Sequence, residues 1–106
     1  MKEQVNHPDH YNIPGKKECI VQMKEDYGET ITAIFCLTNA YKYLYRAGSK
    51  EGNSQEQDIA KAKWYFSYER RTLNWEDTSD KYLFHNVKKL EEYVEKELSK
   101  YEGDNG

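Results

Sequence analysis

Asn39, Lys42, Tyr43 and Arg46 fall at i, i+3, i+4 and i+7, so on a helix they share one face. Two fixed cations, an amide and a phenol on one narrow arc suit an anionic, planar ligand, and nucleotide-like chemistry is what they suggest first. The face runs into Gly48-Ser49-Lys50, where a turn makes backbone N–H groups available to an anion. Further on, Asp58, Lys61, Ala62 and Tyr65 repeat the same spacing, again with lysine in second place. If the two segments form a helical hairpin, Arg46 near the end of one lies close to Asp58 near the start of the other. Lys42, Arg46 and Lys61 would then neutralise phosphates, while Asp58 orients Arg46 or accepts a hydrogen bond from a base or sugar. The competing reading is a plain hairpin ion pair, which stabilises little when exposed. The turn is not a P-loop: the G-x-x-x-x-G-K-[ST] spacing is absent and no strand precedes it.

A second group lies in the arm His7-Pro8-Asp9-His10-Tyr11. Two histidines around an acid resemble part of a metal site, and Cys19 could join them, but no second close pair completes a tetrahedral set. No metal is therefore expected. The arm is expected to fold over the hairpin, with His7 or His10 as phosphate donor or general acid; a docked strap with histidines on backbone or carboxylates is the alternative. Trp64, Tyr65 and Tyr68, with Tyr41 and Tyr45, exceed what a small hairpin core needs. They serve as core or subunit interface, or stack on a base.

The elements that must position these groups are helical. Pro8, Pro14 and Gly15 make residues 1–17 an extended arm. A short helix is predicted from Glu18 to Tyr27, stopped by Gly28. The next runs from Glu29 or Thr30 to Ala47, closed by Gly48, with Ile34, Leu37, Ala40, Tyr41 and Leu44 as its apolar arc. A short turn returns the chain antiparallel, and Ser54 with Gln57 forms a capping box for a third helix ending near Leu73. Residues 74–80 read as a loop. A last Lys/Glu-rich helix, about 79–98, carries Leu83, Val87, Leu90, Val94 and Leu98 on one stripe. It packs on the hairpin or pairs with another subunit, and the tail from Glu102 is polar. No alternating strand pattern is present, so the expected fold is all-α: one domain, residues 1–106, whose hairpin core carries the short N-terminal helix, the arm and the charged C-terminal helix, with 18–73 as its motif-bearing part.

Composition sets the outer limits. The chain has 106 residues, which suits one domain, and is 33% charged, so its core is thin without its aromatics. So small a domain commonly gains stability by oligomerising, and a homo-oligomer is expected. The formal charge of −3 argues against direct nucleic-acid binding but leaves room for a small phosphate ligand on a local cluster. Cys19 and Cys36 read as two reduced thiols. No signal peptide or membrane-length apolar run is visible, so a cytoplasmic protein is expected.

With these residues in view, the chain resembles a family of small tailed-phage proteins of unknown function, whose domain also occurs in a nucleotide kinase of podoviral coliphages. The matching pieces are His7 to Tyr11, Glu18-Cys19-Ile20, Phe35 to Gly48, and Asp58 to Tyr65, in order across about residues 6 to 66. Thr38 departs from the pattern, standing where many relatives have Gly. The resemblance implies a phage protein acting in the infected bacterial cytoplasm, an oligomeric helical body and a link to nucleotides. In the kinase, the implied reaction is phosphoryl transfer from a nucleoside triphosphate to a deoxynucleoside monophosphate without a Walker motif. Carried over, the candidates are His7, His10, Asn39, Lys42, Arg46, Lys50, Asp58 and Lys61. Together with the chemistry of the residues themselves, Lys42, Arg46, Asp58 and His10 are the catalytic candidates, and His7, Tyr11, Asn39, Tyr43, Lys50, Lys61 and Tyr65 the ligand-binding ones. The ligand is a nucleotide, and no acid cluster indicates Mg²⁺. The alternative is a non-enzymatic counter-defence protein. It would sequester a signalling nucleotide or cover a host defence nuclease as anti-CRISPR proteins do, with the acidic last helix mimicking nucleic acid. A helical assembly module without ligand is the third reading.

Overall fold

A computed structural model of the chain describes residues 17–49, 52, 54–75 and 79–102. It contains α1 (Cys19–Tyr27), α2 (Glu29–Arg46), α3 (Gln55–Thr72) and α4 (Lys81–Glu102), with no strand among the described residues. The fold is all-α, as the periodicity predicts; the arm before Lys17 lies outside the described residues. No helix is long and apolar enough to cross a membrane among those described.

Local chemistry sets each boundary. Gly28 adopts φ +93°, a left-handed conformation that stops α1, and its N–H donates to the Lys24 carbonyl at 2.9 Å. The Gly28 carbonyl then accepts from the Thr32 hydroxyl at 2.8 Å, so one residue ends α1 and anchors α2. At α3 the capping box forms as expected: Ser54 Oγ accepts from Gln57 N at 3.0 Å, and Gln57 Oε1 accepts from Ser54 N at 3.2 Å. Such a cap stabilises a helix by about 1 kcal/mol. The fourth helix begins at Lys81 because Asp80 caps it, its carboxylate accepting from Leu83 N at 3.0 Å.

The core forms where α2, α3 and α4 meet. Buried Ala33, Cys36, Leu37 and Ala40 of α2 face Ile59, Ala62 and Tyr65 of α3, and α4 adds Val87, Val94 and Leu98. The small residues at this seam let α2 and α3 approach closely, and the stripe of α4 packs on the hairpin of its own chain. The buried arc of α2 is rotated from the predicted one. Cys36, Ala40 and Ala33 lie at its centre with Thr32 and Leu37 at its two edges, because α1 and α4 also pack on α2. Tyr41 is 44% exposed at its edge, near Tyr45 and Tyr93.

The segment after α3 is more than a loop. Trp75 is buried, its ring lies 5.2 Å from Phe84, and its indole N–H donates to Glu69 Oε2 at 2.5 Å. Asn74 N donates to the Glu29 carboxylate, and Thr30 Oγ1 donates to the Trp75 carbonyl at 3.4 Å, tying this segment to the start of α2.

Candidate functional site

The predicted cationic face forms around one ring. Lys42 Nζ and Arg46 Cζ each lie 4.8 Å from the centroid of Tyr43, and Lys61 Nζ reaches it from α3 at 5.5 Å. Helix periodicity places Lys42 and Arg46 one turn apart, and the hairpin brings in Lys61. Three charges this close to one centroid stand within about 10 Å of each other, comparable to the Debye length of about 8–10 Å at 0.1–0.15 M salt, so an anion set among them feels all three. Each cation–π contact stabilises by roughly 0.5–1 kcal/mol at an exposed site. Neither Lys42 nor Lys61 has a carboxylate partner among the described residues.

Beneath this ring the aromatics are structural. Tyr65 is buried and stacks under Tyr43 at 6.1 Å, with Phe35 (5.9 Å) and Trp64 (5.1 Å) meeting its edges. Tyr65 therefore forms the floor that holds Tyr43 in place. Asn39 is held against its own helix, its Nδ2 donating to the Phe35 carbonyl at 2.9 Å.

Asp58 and Arg46 meet as the hairpin geometry requires, but the carboxylate is fully enclosed. Asp58 is 0% exposed; its Oδ2 accepts from Gly48 N at 2.7 Å and its Oδ1 accepts from Arg46 Nε at 3.3 Å. It fastens the α2–α3 turn and aims Arg46, which makes it a positioning residue. The expected supply of free N–H groups is correspondingly reduced. Gly48 N is taken by Asp58, and Ser49 N donates to the Arg46 carbonyl at 2.5 Å. Gly48 has φ +87°, and a Cβ there would stand 2.9–3.0 Å from the backbone of Gln55, so the turn sits directly against the start of α3. Lys50, with His7, His10 and Tyr11 of the arm, lies outside the described residues.

One group escaped the sequence reading. Glu69 is buried on α3, although its register carried a signal: Asp58, Ala62, Tyr65 and Glu69 follow at i, i+4, i+7 and i+11, so an acid sits on the buried stripe. The thiol of Cys36, buried beside it, is pushed up to about 12, first by desolvation and then by the charge of Glu69. Cys19 is exposed, and the two cysteines are not bonded to each other.

A family model described as Protein of unknown function (DUF3310) matches residues 5–67. The match takes in the arm from Val5, α1, α2 and α3 as far as Ser67, and with them every catalytic and ligand-binding candidate read from the sequence; α4 lies beyond it. No curated protein and no solved structure matches the chain.

Proposed function

The chain belongs to the DUF3310 family of proteins of unknown function, and on that premise we propose that it binds a nucleotide, holding the phosphates on Lys42, Arg46 and Lys61. The observation that carries this reading is the convergence of three cations from two helices on Tyr43. Like charges gathered this way repel one another, and a phosphate dianion set among them relieves that repulsion. Within the matched region, the two helices that carry the cations are also those joined by the Asp58 clasp.

The finer reading is that of a phage-encoded nucleoside monophosphate phosphotransferase. Lys42, Arg46 and Lys61 would stabilise charge on the transferring phosphoryl group, and a histidine of the arm would take the acceptor proton. Asp58 is unsuited to that proton transfer, since its carboxylate is enclosed and committed to Gly48 and Arg46. The same observation favours a second reading: binding without turnover, as a counter-defence protein that sequesters a nucleotide. A thermal-shift panel of nucleoside mono-, di- and triphosphates, followed by a turnover assay on each hit, separates the two. Binding with no product selects sequestration; no shift with any nucleotide overturns both.

A further inference from the structure

Away from the cations, α3 and α4 enclose a cleft of about 430 Å³. Its lining includes Glu69 and Arg70 of α3, Trp75, and Lys88, Glu91 and Glu95 of α4. Two features single it out. Glu69 is 1% exposed, yet only one of its carboxylate oxygens is bonded, to the Trp75 indole; Oε1 is buried without a hydrogen-bond donor. A buried unpaired carboxylate oxygen is costly, and its survival in a cleft calls for a cationic or protonic partner. The group facing it from α4 is Glu91, another acceptor, so these two acids can share only a proton or a cation.

The second feature is the cation already at the mouth. Arg70 Nε lies 4.0 Å from Glu91 Oε2, and Arg70 Nη1 lies 3.5 Å from Glu95 Oε2, while its guanidinium is half exposed. These are loose pairings, and Arg70 does not reach the open oxygen of Glu69. With Glu92 also on the wall, acids outnumber bases in the lining. No group of three or more His, Cys, Asp and Glu side chains is disposed to hold a metal ion among the described residues.

We propose that this cleft binds a small aliphatic amine, its ammonium group donating to Glu69 Oε1 and Glu91 while Glu95 and Glu92 attract a second positive group at the rim. An ammonium supplies several donors in a compact head and needs no fixed coordination polyhedron, which suits two converging carboxylates better than a metal. The site lies outside the Lys42–Arg46–Lys61 face and does not depend on it.

The proton balance is specific. Burial and the neighbouring Glu91 push Glu69 up to about 8, against weaker lowering by Trp75 and Arg70. The other groups set around it are Cys36 of α2, and Lys88, Glu92 and Glu95 of α4. At pH 7 Glu69 holds a proton, and the incoming ammonium displaces it to buffer.

The test is calorimetric titration of the full chain with putrescine, in buffers of different ionisation enthalpy, with equal ionic strength of NaCl as control and MgCl₂ as a separate arm. The expected result is binding that tightens from pH 6.5 to pH 8.5, with a proton released at pH 7. Glu69→Gln should weaken it at least tenfold, and Arg70→Gln, by removing the competing guanidinium, should tighten it several-fold. If Glu69→Gln loses helicity by circular dichroism, Glu91→Gln serves in its place. Absence of putrescine binding, equal binding by the folded Glu69→Gln variant, or displacement of putrescine by Mg²⁺ beyond the NaCl control would overturn the proposal.

Discussion

Replacing Asp58 tests whether this acid is a clasp or a catalyst. Its carboxylate is fully buried and accepts from Gly48 N and from Arg46 Nε. Asp58→Ala strands the Gly48 N–H, which costs about 1–3 kcal/mol, and deprives a half-buried guanidinium of its counterion, which costs about 1 kcal/mol more. The sum, about 3 kcal/mol, is roughly a fifth to three fifths of the 5–15 kcal/mol typical of a domain. It should lower Tm by roughly 15 °C. Asp58→Asn is nearly isosteric and keeps one oxygen for Gly48 N, but it sets an amide N–H against Arg46 Nε, so it should cost about 2 kcal/mol, less than Asp58→Ala. Urea unfolding followed by the fluorescence of Trp64 and Trp75 measures both. Asp58→Ala within 1 kcal/mol of wild type, or Asp58→Asn as damaging as Asp58→Ala, refutes the clasp. A stable Asp58→Asn that binds nucleotide but loses all turnover would instead make Asp58 the base.

Three further outcomes follow from particular contacts. Gly48→Ala should destabilise by about 2 kcal/mol or more in urea unfolding, since it combines a left-handed φ with a Cβ 2.9–3.0 Å from the Gln55 backbone. Because the folded-state pKa of Glu69 is raised to about 8 from an ordinary carboxylate value, the native chain holds a proton that the unfolded chain has lost. Stability should therefore fall by ~1 kcal/mol or more as pH rises from 5 to 8, and level off above; Glu69→Gln should flatten that slope, measured by urea midpoints in wild type and variant. With the Cys36 thiol buried and pushed up to about 12, a disulfide-exchange reagent at pH 8 should titrate one thiol per native chain, that of Cys19, and two in urea.

The hairpin was legible because its signals are local. Gly28 and Gly48 at helix ends, Ser54 with Gln57 at a start and the heptad-like stripe of α4 each act within a turn or two of chain. The meeting of Lys42, Arg46 and Lys61 also follows from two helical periods and one short turn. What could not be read there depends on packing between elements. Helical spacing puts Tyr41 on the buried arc of α2, but the docking of α1 and α4 turns that arc toward Ala33 and Cys36. Asn39 belongs to the predicted face, yet its amide bonds to its own helix, a choice of rotamer that spacing does not reveal. Trp75 sits in a stretch with loop composition and is buried because Glu69, Glu29 and Thr30 receive it.

The most direct measurement of the central claim is calorimetric titration of a nucleoside triphosphate and a deoxynucleoside monophosphate into wild type, Lys42→Ala, Lys61→Ala and the double variant. Lys42 and Lys61 come from different helices and meet at the Tyr43 ring, and neither is a buried core residue. Wild type should bind, each single variant should weaken binding about tenfold, and the double variant should abolish it while staying folded, its stability lowered only by the two lost cation–π contacts, about 1–2 kcal/mol. Wild-type binding that survives in the double variant would contradict the claim, as would a wild type that binds neither nucleotide.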